Sequence, residues 1–298
     1  MKLNITAIIL TYNEALNIRE CLKSVEEIAS QIIIVDSGST DATITIAKEF
    51  NCDILTHSFE NYSQQRNWAL SNAKINNEWI LNLDADHRLT LELQKELRLV
   101  FSNDIAPAVN GFLTSRKTIF MGKWIRYGGH YPTYHATLFR KNKGFCEIKN
   151  YDQHFKVEGN VVKLKGDVID VITDSLFNFT NRHNKWSDFE AHDQVFKEAD
   201  NNSVIKSDLR GNPIQKRRYL KSIYEKFPLF VRPFIYFIIR YFFRLGFLDG
   251  TTGLIFHFLQ GFWFRFLVDA KVYELKRSSL AGTSSAAFLI LLLSVDNF

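Results

Sequence analysis

Three short apolar runs, each ending in a polar cluster and separated from the next by a helical stripe, constrain this chain more than any other feature. Residues 5–10 lead into Thr11-Tyr12-Asn13-Glu14, residues 32–35 into Asp36-Ser37-Gly38-Ser39-Thr40-Asp41, and residues 79–83 into Asp84-Ala85-Asp86. After the first run, Ile18, Cys21, Leu22 and Val25 recur at i, i+3, i+4 and i+7, the stripe of an amphipathic helix. The 36–41 cluster supplies a turn and an N-cap, which predicts a helix through Lys48 and Phe50. A third strand is predicted at 53–57, a helix at 63–73 and a fourth strand at 79–83. This alternation predicts an α/β fold with a mostly parallel sheet and helices on both faces. Ligands of such sheets lie beyond the carboxyl ends of the strands, where all three polar clusters fall.

From 111 to 172 the pattern reads as shorter strands with Gly-containing turns such as Gly128-Gly129 and Lys143-Gly144, and helix returns at 186–199. There is no internal repeat. Asp84 and Asp86, two apart on an extended segment, point to one side and suit a hard divalent cation shared with substrate phosphates. Asp pairs are common in solvated turns. The apolar strand feeding this one puts it at the sheet edge instead.

Four motifs, Leu10-Thr11-Tyr12-Asn13-Glu14, Ile34-Val35-Asp36-Ser37-Gly38-Ser39-Thr40-Asp41, Gln65-Arg66-Asn67 and Leu83-Asp84-Ala85-Asp86, stand in an order and spacing that resembles the family 2 glycosyltransferases of the GT-A fold. The resemblance covers about residues 3–200. Further on, Tyr151-Asp152-Gln153-His154-Phe155 and Arg182-His183-Asn184-Lys185-Trp186-Ser187 are similar to the branch holding lipopolysaccharide-core β-1,4-glucosyltransferases and capsule glycosyltransferases. The resemblance implies an inverting enzyme that moves a hexose from a nucleotide-sugar, UDP-linked, to a lipid-linked glycan with the help of Mg²⁺ or Mn²⁺.

Residue by residue, Thr11, Tyr12, Asn13 and Glu14 resemble the loop around the nucleotide, with the Tyr12 ring near the base or, on the plainer reading, packed on the first helix. Asp36 resembles the carboxylate that accepts the base imide N–H, a role that competes with an ordinary turn or cap. Ser37 would line the same loop. Gln65, Arg66 and Asn67 would face the donor from a helix start, and Arg66 reads equally well as a solvated helix residue. Asp84 would bind ribose or metal. Asp86 would coordinate the metal bridging the diphosphate, whose leaving-group charge such an ion stabilises. Inversion needs a base opposite the leaving group, and Asp152 is the candidate, with Glu147 and His154 as rivals. Arg182, His183 and Lys185 either reach the diphosphate or form an exposed helix flank.

Composition bears on the remainder. The amino-terminal residues lack the three-part layout of a secretory signal, predicting a chain that begins folding in the cytosol. Cys21, Cys52 and Cys146 are too few and too far apart for a disulfide framework or a zinc site. Of 26 phenylalanines, 12 lie between Phe227 and Phe266, and residues 201–277 carry 14 Lys/Arg against 5 Asp/Glu. Aromatic and basic excess thus share one segment. Arg232, Tyr236, Arg240 and Arg244, spaced by four, form a stripe on a helix, and His257, Gly261, Arg265 and Asp269 form a second. The first helix has no charge-free run near the roughly 20 residues a membrane span needs. The prediction is a pair of helices in the membrane interface, aromatics in lipid and arginines at the headgroups, peripheral on the cytoplasmic face of the inner membrane. The alternative is a second helical lobe packed on the sheet. Nucleic acid is excluded as a partner because the aromatics are too dense and too helical in period for a stacking platform. The expected units are a catalytic domain at 1–205, a membrane-interface segment at 206–277 and an apolar tail of no assigned role at 278–298. Rival functions are a polyprenyl-phosphate sugar transferase and a non-catalytic membrane-surface module of the same fold.

Overall fold

The computed structural model describes residues 1–149, 152–173, 175–196 and 207–280; the tail from 281 onward lies outside the described residues. Its sheet is built from β1 (Leu3–Thr11), β2 (Ala29–Asp36), β3 (Asp53–Thr56), β4 (Trp79–Asp84), β5 (His87–Leu89), β6 (Val109–Phe120), β7 (Lys123–Trp124), β8 (Tyr134–Arg140) and β11 (Asn160–Thr173). The order is β3-β2-β1-β4-β8-β6-β11-β5, with β7 paired to β6. Along that path all strands run the same way except β8 and β5. A separate antiparallel pair joins β9 (Gly144–Cys146) to β10 (Phe155–Val157).

β1 is apolar almost throughout because it is covered on both faces, as parallel strands are. Ile5, Ala7 and Ile9 face one apolar cluster with Leu22 and Val25 of α1 (Ile18–Glu26), while Ile8 and Leu10 face another with Ala69 of α3 (Tyr62–Asn72). Each such side chain contributes about 1.5–3 kcal/mol on burial. The predicted third helix starts one residue early because the Asn61 side chain accepts the Gln64 N–H (2.9 Å) as its N-cap. The second helix, α2 (Thr43–Ala47), stops short of Lys48.

The register of β1 positions the site. Leu10 is opposite Asp84 and Thr11 opposite Asp36, so the carboxyl ends of β2, β1 and β4 finish level at one edge. Beyond them the predicted short strands include β7, β9 and β10, of two or three residues each, but two strands are long, a 12-residue β6 and a 14-residue β11. Gly166 lies inside β11, where a Cβ would stand 2.4 Å from Leu93 Cα of α4 (Leu91–Phe101), so the residue marks a close approach and not a turn. Gly128 and Gly129 are the expected turn, at φ +68° and +66°.

After β11 come α5 (Leu176–Phe196), α6 (Pro213–Glu225), α7 (Val231–Ile238) with a π-helical extension through Phe243, α8 (Gly250–Phe256), a second π-helical stretch (His257–Trp263) and α9 (Phe264–Leu280). The arginine stripes do not face outward as predicted. Arg232 is buried and bonds Asp269 (Nε–Oδ1, 2.7 Å), Arg240 is buried and donates to Gly128 O (2.8 Å), and Arg265 pairs with Glu190 of α5 (2.9 Å). The two stripes meet each other and the catalytic body through these bonds, each guanidinium being matched by a carboxylate or carbonyl oxygen. Arg244 alone of the stripe remains exposed.

Candidate active site

At the level edge, the loop after β1 and the turn after β2 are laced together. Asn13, at φ +52°, donates its N–H to Ser39 Oγ (2.9 Å) and accepts the Thr40 N–H through Oδ1 (2.8 Å). Glu14 N–H bonds Thr43 Oγ1 (2.8 Å) and Ala15 N–H bonds Asp41 (3.1 Å). Thr11 is buried with an unpartnered Oγ1, and Tyr12 stands 58 % exposed at the loop tip. Asp36 spends its carboxylate on the turn, accepting from Gly38 N, Ser39 N and Ser39 Oγ. Gln65 is buried and ties Ser37 Oγ to His57. Asn67 pairs with both backbone groups of Cys146 at 2.9 Å, pinning β9.

Arg66 is neither solvated nor at a surface. It is 1 % exposed, donates to Asp84 Oδ1 and Leu83 O (both 2.5 Å), and receives support from Tyr62. Burial alone would raise the Asp84 pKa, but Arg66, then His87 and Arg116, lower it below the usual range. Asp86 behaves oppositely: burial first, then Asp170, Asp84 and Glu14 push its pKa well above normal. Its Oδ1 has no hydrogen-bond partner. Asp84, Asp86 and His87 bring ligand atoms within 4.8 Å of one another. His87 accepts the Asp84 N–H at Nδ1 (2.9 Å), so the proton of this neutral ring sits on Nε2, which faces the carboxylates. The imidazole, with a pKa pushed down to about 4 by burial, orients the acids.

Two members of this cluster escaped sequence reasoning. Asp170 of β11 is opposite His87 in register, and Arg116 of β6 approaches it at 3.5 Å. The available signal was an acid inside an apolar strand, Val168-Ile169-Asp170-Val171, but its partner strand lies about 80 residues away in sequence.

The second wall is the 147–155 segment. Asp152, at φ +56°, is held by Lys221 (3.3 Å), Arg218 (3.6 Å) and Arg217 (3.8 Å) of α6. Burial would raise its pKa; Lys221, His154, Arg217 and Arg218 bring it well below normal. Glu147 is fully buried against Arg218. Burial drops the His154 pKa to about 3. Of the α5 candidates, Lys185 is exposed, Arg182 donates to Ile172 O, and His183 is buried with its Nδ1 on Phe179 O (2.8 Å). The His183 ring is thus engaged within its own helix, whereas Arg182 is close enough to Asp86 to pull its pKa downward. A polar cavity lined by His87, Arg116, Gln153 and His154 connects the two walls.

Residues 6–164 match the family model described as Glycosyl transferase family 2. The lipopolysaccharide core biosynthesis glycosyltransferase LpsC of Rhizobium meliloti is 28 % identical over 280 residues, 92 % of this chain and 93 % of that one. An uncharacterized glycosyltransferase of Rickettsia bellii is 40 % identical over 99 residues, and the match spans only about a third of each protein (33 % and 33 %). Among solved structures, S. aureus TarS 1–349 in complex with UDP aligns over 96 % of this chain and 93 % of that one, with a TM-score of 0.44 and 16 % identity.

Proposed function

The chain belongs to glycosyl transferase family 2, and from that premise we propose that it moves a hexosyl group, with inversion, from a UDP-linked donor to a lipid-linked glycan of the cell envelope. The observation that carries the reading is the cluster of Asp84, Asp86 and Arg66 at the carboxyl edge of β4. A carboxylate with raised proton affinity and an orphaned oxygen marks a place short of positive charge. Asp84 and Asp86 would hold a divalent cation there, which when bound stabilises charge on the diphosphate leaving group. His87 is excluded as a ligand by the proton on its Nε2. The interlocked 11–15 and 36–43 loops form a rigid rim suited to the nucleoside, with the exposed Tyr12 ring available to the base.

For the base, Asp152 is favoured over its rivals because its carboxylate keeps 14 % exposure, whereas that of Glu147 has none. Its cationic neighbours hold it ionised while lowering its proton affinity, so its task is to accept a hydrogen bond that orients the attacking hydroxyl and to take the proton only as the sugar C–O bond breaks and the hydroxyl becomes acidic. The role named for the Rhizobium relative, lipopolysaccharide core biosynthesis, supports an envelope glycan as acceptor.

The location proposed is a membrane surface, at its cytoplasmic face. No helix among the described residues is long and apolar enough to cross a membrane. Yet Phe234, Phe242, Phe243, Phe247, Leu248 and Phe258 are all more than 40 % exposed on the helices whose arginines turn inward. An outward aromatic face of that size fits a helical segment lying in the lipid interface. The test is metal-dependent turnover of UDP-, GDP- and CMP-sugars with extracted lipid acceptors. Asp152→Asn should keep UDP binding and lose about 10²–10⁴-fold in rate. Donor binding without turnover on any acceptor would overturn the enzyme reading.

A further inference from the structure

The cavity between the two walls has about 30 Å³ of free space. That holds one or two water-sized groups and not a pyranose ring. Asn82 of β4, His135 of β8 and His154 line it together with His87 and Arg116. Two of these side chains are buried and unpaired. Asn82 is 6 % exposed with neither Oδ1 nor Nδ2 hydrogen-bonded, and His154 is 5 % exposed with both ring nitrogens unbonded. The carboxylate nearest His154, that of Asp152, is 3.8 Å away. Native interiors leave few buried polar atoms unsatisfied, and four of them on one small cavity call for an occupant.

The wall selects the chemistry. Burial keeps His135 and His154 neutral, so each ring offers one donor and one acceptor. The Asn82 amide adds two donors and an acceptor. Of the guanidiniums near the rim, Arg66 is committed to Asp84 (2.5 Å), and Arg116 approaches Asp170 through one nitrogen at 3.5 Å. Neutral groups that both give and take hydrogen bonds match a hydroxyl better than a phosphate or a carboxylate. Position narrows it further. Asn82 lies two residues before Asp84 and so on the same face of β4, and His87 belongs both to this wall and to the acid cluster.

Resting on the function proposed above, we infer that the cavity receives one hydroxyl or hydroxymethyl arm of the hexosyl group being transferred, and that Asn82 and His154 select the donor by bonding it.

Calorimetric binding in Mn²⁺ tests this, with UDP, UDP-glucose, UDP-galactose, and the 2-, 3-, 4- and 6-deoxy analogues of whichever sugar nucleotide binds more tightly. One deoxy analogue should bind the wild type about ten- to a hundredfold more weakly than its parent, the loss expected when buried polar groups are left unpaired. In Asn82→Leu and His154→Phe that penalty should shrink toward onefold, with affinity for UDP itself unchanged. Asn82→Leu should also raise the melting temperature of the ligand-free protein, because an unpaired amide is replaced by an apolar group of similar size; an amide serving only the fold would lower it. Equal binding of all four deoxy analogues to the wild type overturns the inference while leaving the nucleotide site intact. Failure of UDP to bind at all overturns the proposed function and this inference with it.

Discussion

Asp86→Asn isolates the charge problem at the heart of the site. Asp84 and Asp86 offer oxygens within 4.8 Å of each other, and at that spacing two like charges repel by about 3.5 kcal/mol at an effective dielectric of 20. Exposure of 25 % and 17 % and the neighbouring Arg66 screen part of it, leaving about 1–2 kcal/mol. Asparagine keeps the shape without the charge. With chelator at pH 7.5 the variant should therefore be the more stable protein by about 1–2 kcal/mol, or about 2–6 °C in melting temperature for a chain of this size. The proton gives the sign. Burial, then Asp170, Asp84 and Glu14, raise the Asp86 pKa on folding, so the wild type carries no penalty at low pH, where the group is protonated in both states. The penalty develops as pH rises from the unfolded value through the raised folded one, and the two proteins should converge toward pH 4. Mn²⁺ should reverse the order, since a cation at a hundred times its dissociation constant stabilises the wild type by about 2.7 kcal/mol and the variant little. Thermal unfolding from pH 4 to 8, with EDTA and with Mn²⁺, reads all of this. An Asn variant less stable than wild type in EDTA at pH 7.5, or a wild type indifferent to Mn²⁺, would refute the reasoning.

Arg66→Met leaves Asp84 buried beside an apolar chain and should cost about 3–5 kcal/mol, seen as a lower urea midpoint; an unchanged midpoint would mean that the pair is not what holds α3 to β4. Gly128→Ala demands a Cβ 2.1 Å from His257 Cε1 at φ +68°, and should cost about 2 kcal/mol or more, with faster amide exchange in the 239–263 stretch than elsewhere. Phe242→Ser with Phe243→Ser should leave the melting temperature in place and weaken binding to anionic vesicles by roughly tenfold or more, given about 1.5–3 kcal/mol per buried aromatic; equal binding would remove the membrane face from the account.

The sheet and the interlocked loops at its carboxyl edge were legible because they are local. A continuous apolar run ending in Asp84-Ala85-Asp86 states both the strand and its edge, and the side-by-side ends of β1, β2 and β4 follow from parallel pairing. Arg66 shows where local reading stops. Its place on a helix start was plain, but a one-dimensional pattern does not tell an arginine facing water from one reaching under β4 to Asp84. Asp170 was out of reach for a stronger reason. It meets the acid cluster only through the β11–β5 pairing, between residues about 80 apart in sequence.

The carboxyl-terminal helices pose the same problem with a sharper consequence. Spacing by four gave the stripe of Arg232, Tyr236 and Arg240, and amphipathicity followed, but the period of a stripe carries no sign. Only packing decides which side meets protein. Here the arginines took it, through Asp269, Gly128 and Glu190; Phe256 and Phe264 are buried with them, while Phe234, Phe242, Phe243, Phe247 and Phe258 were left outside. In water that choice is unfavourable, since apolar area left exposed forgoes about 25 cal/mol per Å² and the buried ions must be desolvated as well. It becomes favourable if the outer neighbour is itself apolar, where exposed phenylalanine loses nothing and an outward arginine would be the costly group. The inward stripe thus argues for the interface more directly than the outward one predicted from sequence, because a helical lobe meant only for water had the opposite arrangement available to it from the same residues.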